Sequence, residues 1–148
     1  MVYVFEFEIV EEEGWFVAIP FDFSGATQGE SVAEACEMAA DWLRTEIEYR
    51  LMNNEVIPEA TLEHKPQRGG RVLLVAVDVS LDSVEKVSAK DAAVLLGVTR
   101  SRISQMVKEG LLTGFRVGRD VYVTLDSIRA RIAEKPKVGR PKKDKACA

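Results

Sequence analysis

Residues 88–134 read SAKDAAVLLGVTRSRISQMVKEGLLTGFRVGRDVYVTLDSIRARIAE. Ser88 followed by Asp91 is a helix-start signature, because the hydroxyl accepts a hydrogen bond from a free amide of the first turn. The spacing predicts a helix over Ala89–Leu96 that ends at Gly97, and a second over 100–109 that ends at Gly110 in the preferred C′ position. Gly97 is suited to a left-handed turn, Ala93 is small where the second helix must approach, and Val98 and Ile103 plug the angle between the helices. Strands over 114–117 and 121–124 flank Gly118-Arg119-Asp120, a tight hairpin, and a third helix over 125–134 closes the segment. On the second helix Ile103, Met106 and Val107 face inward. Arg100, Ser101, Arg102, Gln105 and Lys108 face outward, where arginine suits guanine and glutamine suits adenine.

Helix, turn, helix, hairpin and closing helix together resemble the winged helix-turn-helix domains of the excisionase/MerR-like group over about 45 residues. The hairpin then stands as a wing, with Arg116 and Arg119 placed for phosphate or minor-groove contact. A small module with a merely solvated basic face is the alternative. Beyond it lies the stretch KPKVGRPKKDKACA, residues 135–148, a basic tail. Its Gly139-Arg140-Pro141 core resembles an AT-hook, in which Arg140 would enter a narrow A·T minor groove, although Val138 stands where such hooks usually carry arginine. A tail that only adds counterion release is the competing reading.

Charge divides along the chain in the same place. Residues 1–70 hold 4 Lys/Arg against 15 Asp/Glu, whereas residues 88–148 hold 14 against 6. The formal total of −4 is therefore the remainder of an acidic half and a basic half with different partners. The expected organisation is an N-terminal domain over 1–80, a short polar linker over 81–87, a DNA-binding domain over 88–134 and the tail.

The acidic half opens with VYVFEFEIV, residues 2–10, which alternates with period two. Glu6 and Glu8 fall on the polar face of that strand, opposite Tyr3, Phe5, Phe7 and Ile9. A turn at Glu11, Glu12, Glu13 and Gly14 leads into a second strand, with room for a third near 26–28. Ser31 and Glu34 form another capping box, and Val32, Cys36, Ala39, Leu43, Ile47 and Leu51 make a helical core stripe. After a loop over 61–70, the apolar run 72–79 predicts an inner strand. The β-β-(β)-α-β order makes an α+β class with the helix on one face of a sheet.

FEFEIVEEEGWFVAIP, then Asp22, Gly25, Thr27-Gln28-Gly29, Ser31 and VAEACEMAADWL resemble the HicB antitoxin family over roughly residues 3–80. The resemblance implies a shortened RNase H-like fold without nuclease activity. It also implies binding and blocking of a short, basic HicA-type ribonuclease toxin, and repression of an operator through a separate DNA-binding domain. Phe21 and Ser24 depart from the family, which usually has prolines there. An acidic surface suits a cationic partner and repels RNA. The toxin-contact candidates are Glu6, Glu8, Glu11, Glu12, Glu13, Asp22, Glu34, Glu37 and Asp41. Met38, Trp42 and Tyr49 form a ridge beside the core stripe, either an oligomer or partner contact or part of a broad buried face.

Composition narrows the remaining classes. No apolar run approaches the roughly 20 residues that span a bilayer, and the first ten residues lack a signal peptide's basic start. Two distant cysteines and one histidine supply neither a disulfide framework nor a Cys- or His-rich zinc site, and His64 reads as a solvated loop residue. The expectation is a cytoplasmic, non-enzymatic protein without cofactor or metal. It would bind a toxin and double-stranded operator DNA as a homodimer or higher oligomer. Two alternatives stand beside it: a stand-alone transcriptional regulator whose N-terminal domain senses a ligand or dimerises, and a metal nuclease using Glu6 or Glu8, Glu34 and Asp78.

Overall fold

The computed structural model describes residues 1–134, which form two compact units meeting between Val84 and Glu85. The class is mixed α+β, with an antiparallel sheet in each unit. No helix among the described residues is long and apolar enough to cross a membrane. The basic tail, with Arg140, lies outside the described residues.

In the first unit the strands are β1 (Val2–Glu12), β2 (Trp15–Pro20) and β3 (Thr27–Gly29), followed by helix α1 (Val32–Met52) and strand β4 (Arg71–Asp78). The sheet order is β3-β2-β1-β4. Alternation along β1 sends Phe5, Phe7 and Ile9 to one face, where they are buried against α1. Ala35, Ala39, Leu43 and Ile47 recur every four residues and are all fully buried. Ala35 thus replaces Cys36 in the buried stripe; Cys36 is half-buried. The small residues bring the helix start hard against the end of β3, where a Cβ on Gly29 would lie 2.5 Å from the Ala35 nitrogen. Ser31 caps the helix through the Glu34 amide at 3.1 Å, and the Glu34 carboxylate reaches back to the Glu30 amide at 2.7 Å.

An aromatic cluster closes the far end of this core. Phe5 meets Phe23 edge-on at 4.7 Å, and Trp42 meets Phe7 and Phe23 at 6.0 and 5.8 Å. Arg50 lies over the Phe23 ring at 5.4 Å and donates to the Val56 carbonyl at 2.8 Å, tying down the chain as it leaves the helix.

The other face of β1 differs from its expectation. Glu6 and Glu8 are buried, 6% and 2% exposed, although alternation assigned them to a solvated strand face. The loop after the helix folds over them. Glu6 accepts from the Glu63 amide at 2.7 Å, the His64 amide at 2.9 Å and the His64 ring Nδ1. Glu8 accepts from the amides of Gln67 at 2.7 Å, Arg68 at 2.8 Å and Gly70 at 3.0 Å. His64 is therefore no free loop residue: its ring stacks on Phe21 at 4.1 Å and its Nε2 lies 2.9 Å from the Thr61 hydroxyl. Asp22 completes the fastening by accepting from the Thr61 amide at 3.0 Å and from its hydroxyl.

The 72–79 run is also corrected. It forms β4 at the edge of the sheet, next to β1, and not an inner strand. Its apolar continuity reflects α1 on one side only; Leu74 and Ala76 on the other face are exposed.

Residues 81–87 are structured rather than a linker. Leu81–Ser83 make a short 3-10 turn, and Lys86–Ser88 form strand β5 of the second unit. Helices α2 (Ala89–Leu96) and α3 (Arg100–Lys108), strands β6 (Gly114–Val117) and β7 (Asp120–Thr124), and helix α4 (Leu125–Ala133) follow. The three strands are ordered β5-β7-β6. Gly97 ends α2 at φ 64°, the left-handed conformation that its turn requires. Ala92, Ala93, Ile103, Met106, Val123 and Ile128 form the core.

Two outcomes follow for the first unit, which contains both tryptophans, Trp15 and Trp42, so that indole fluorescence reports it selectively. Phe7→Ala, at a fully buried position, should lower its urea-unfolding stability by about 3–5 kcal/mol. Acid should weaken the same unit. Burial raises the proton affinity of the Glu6 and Glu8 carboxyls, but the loop hydrogen bonds outweigh it and hold both below the ordinary glutamate value. The unfolded chain then takes up protons first as pH falls. The stabilisation is complete above about pH 5 and is lost downward through the lowered native values. Urea midpoints read by tryptophan fluorescence should fall across that window, and less steeply in Glu8→Gln; equal slopes would contradict the assignment.

Candidate functional site

Two surfaces collect the candidate residues, one in each unit. In the second unit α3 is capped by Thr99, whose hydroxyl accepts from the Arg102 amide at 3.1 Å. The helix rests on Ile103 and Met106, which are buried, so residues on its opposite side must face solvent. Arg100, Ser101, Gln105 and Lys108 are exposed there, as the spacing predicts. Ser104 is exposed as well and escaped the sequence reading, although it lies one turn beyond Arg100 and Ser101.

Arg102 is placed differently. It is half-buried and lines a shallow groove of about 320 Å³ with Leu95, Leu96, Val98, Met106, Arg131, Ile132 and Glu134. Its guanidinium lies 3.6 Å from the Glu109 carboxylate. The side chain thus leaves α3 along its flank, toward α2 and α4, and not with the outward row.

The hairpin β6–β7 turns through Gly118 and Arg119, with Val117 paired to Asp120. Gly118 adopts φ 63°. Arg116 and Arg119 are both exposed. Of the positions expected to contact DNA, six therefore share an accessible α3 and wing: Arg100, Ser101, Gln105, Lys108, Arg116 and Arg119.

In the first unit the acidic candidates separate into two groups. Glu11, Glu12 and Glu13 are exposed at the β1–β2 turn, with Glu13 in a left-handed conformation at φ 50°. Glu34, Glu37 and Asp41 are exposed on the outer side of α1. Glu6, Glu8 and Asp22, in contrast, have their carboxylate oxygens occupied by loop amides and hydroxyls, and leave the accessible acidic surface. Their burial had a weak signal in the sequence: two glutamates flanked on both sides by large apolar residues, with a glycine-containing loop following the helix.

The ridge also divides. Met38 and Tyr49 are exposed, while Trp42 packs its ring into the core against Phe7 and Phe23. The carboxylates imagined for metal chemistry do not converge. Glu8 is fastened to the loop, Glu34 binds the Glu30 amide at the start of α1, and Asp78 receives the N-terminal ammonium at 2.9 Å. Among the described residues no group of three His, Cys, Asp or Glu is arranged to hold a metal ion.

Comparison with known proteins agrees with the architecture of the second unit. Residues 87–136 match the family described as "Helix-turn-helix domain". A 58-residue stretch is 45% identical to "Antitoxin HicB 1" of Photorhabdus laumondii subsp. laumondii; it covers 39% of this chain and 37% of that protein. The chain therefore matches little more than a third of the length of this curated relative. No solved structure gives a significant match. Over the stretch that it shares, the chain is similar to a HicB antitoxin, and its C-terminal half carries a helix-turn-helix domain.

Proposed function

We propose that this protein is a non-catalytic antitoxin and repressor, with a toxin-binding first unit and a DNA-binding second unit. The observation that carries the DNA half is the outward row of α3. Arg100, Ser101, Gln105 and Lys108 stand exposed on a helix whose other side is locked into the core, with two exposed wing arginines beyond. A helix held this way enters a major groove as a rigid body, its polar row against base edges and its wing against the backbone. One such module buries too little surface for tight specificity, so the reading requires at least two copies on a pseudo-palindromic operator.

Support for the toxin half comes from the likeness to a HicB antitoxin and from the acidity of the first unit. The order β-β-β-α-β with one long helix is compatible with the RNase H-like architecture of that family. Of the candidate acids, Glu11, Glu12, Glu13, Glu34, Glu37 and Asp41 are accessible. They favour a basic, HicA-like ribonuclease as the partner and blockage by occlusion as the mechanism. Glu6, Glu8 and Asp22 instead hold the loop over the sheet face opposite α1.

Fluorescence anisotropy on operator DNA from the gene's own promoter tests the DNA half. Gln105→Ala should weaken binding about 5- to 100-fold and relax base preference, the equivalent of roughly 1–3 kcal/mol for one base contact. Arg119→Ala should weaken specific and non-specific DNA alike and reduce the slope of log affinity against log salt by about 1. Unchanged affinity in both variants would refute the DNA half. For the toxin half, reversing Glu34, Glu37 and Asp41 to lysine should abolish co-purification of the short basic protein encoded beside this gene. The Glu11→Lys, Glu12→Lys, Glu13→Lys variant serves as the second surface; retention by both refutes the electrostatic assignment.

A further inference from the structure

The two edges of the first sheet are protected very unequally. At one edge β3 has only three residues and the start of α1 packs hard on Gly29. At the other edge β4 runs for eight residues, RVLLVAVD, in unbroken register with β1 and with no proline, glycine, lysine or bulge. No strand among the described residues pairs with its outer side. A long, flat, apolar edge presents a row of free amides and carbonyls that pairs readily with another strand, and natural proteins blunt such edges unless they are used.

The face beside that edge is apolar too. Leu74 is 64% exposed, Ala76 is exposed, and Val2 on the neighbouring strand is 60% exposed. The loop fastened over Glu6 and Glu8 leaves this strip uncovered. The acid on this strip, Asp78 at the end of β4, already receives the N-terminal ammonium at 2.9 Å, so the strip offers little to a basic partner.

We infer that β4 pairs antiparallel with β4 of a second copy of this chain, joining two four-stranded sheets into one of eight across a two-fold axis at Leu74. A two-fold perpendicular to the sheet keeps like faces together, so it pairs positions of equal parity. Centred on Leu74, it sets Leu74 against its own copy and Val72 against Ala76, so that apolar side chains meet side by side across the seam. Centring on Val75 instead would set Val72 against Asp78, an apolar side chain against a charge. The antiparallel sense also keeps the two Arg71 ends, and the two Asp78 ends, at opposite ends of the seam, whereas a parallel pair would align like charges.

This deepens the DNA reading, which needs two copies, and the two fail separately. DNA binding without the mass change described next keeps that reading and overturns the edge pairing; the mass change without DNA binding does the reverse. The full chain should have a light-scattering mass of at least two copies. Leu74→Arg should halve that mass, from dimer to monomer, or from tetramer to dimer if the second unit also associates, while tryptophan fluorescence stays native. In a chain with Cys36→Ser and Cys147→Ser, Leu74→Cys should form an intermolecular disulfide on mild oxidation, much faster than Val56→Cys at an 83% exposed position. A monomeric native chain, a mass unaffected by Leu74→Arg, or equal linking by the two cysteines would overturn the inference.

Discussion

The first unit depends on two glutamates placed where a sheet protein would normally bury apolar residues. Its single helix covers one face of the sheet, and no second helix exists to cover the other. A loop does so instead, and loops bring unpaired backbone amides that cannot be buried alone. Glu6 and Glu8 solve both problems together. Each carboxylate collects backbone amides from the loop, and each gains the hydrogen bonds without which a buried carboxylate would be costly. His64, Thr61 and Asp22 extend the same fastening toward the turn after β2, with Phe21 as a flat support for the imidazole.

This arrangement changes what the acidity of the N-terminal half means. The composition suggests a uniformly acidic surface, but three of its acids are committed inside the unit. Of the exposed acids, Glu11, Glu12 and Glu13 gather at one hairpin turn and Glu34, Glu37 and Asp41 along one helix flank, while Glu55, Glu59 and Glu63 lie on the loop after α1. Charge is thus sorted by position, and along β4 it is confined to Arg71 and Asp78 at the strand ends. On the basic half the sorting is similar: Arg102 lies along the flank of α3, 3.6 Å from Glu109, while its neighbours Arg100 and Ser101 remain in the outward row.

Much of this was legible in the sequence because it depends on local rules. Period-two alternation located β1, i+4 spacing located α1, and hydroxyls at Ser31 and Ser88 marked helix starts. What stayed hidden depends on pairing across long sequence separations. Alternation separates two faces of a strand but does not say that a loop some sixty residues later will cover the polar one. The apolar run at β4 reads as a central strand, since nothing local reveals on which side its neighbour lies. Likewise β5 has only three residues, and it is a strand because β7 lies beside it. Arg102 stands apart for a related reason: helical phase puts it near the outward row, and its place beside α2 and α4 depends on residues distant in sequence.

The short strand β5 has a consequence for how such proteins are assembled over evolutionary time. Glu85, just before it, accepts from the Leu125 amide at 2.9 Å through its carbonyl and from Arg129 at 3.1 Å through its carboxylate. The second unit is therefore a closed package from Glu85 onward, with its first strand lying upstream of its first helix. An exchange of this unit between genes that joined the new partner at the helix cap, Ser88, would leave that strand behind and strip the outer edge of β7. Only a junction at or before Glu85 transfers a complete module. The inheritable boundary thus falls inside residues that look, by composition, like a spacer.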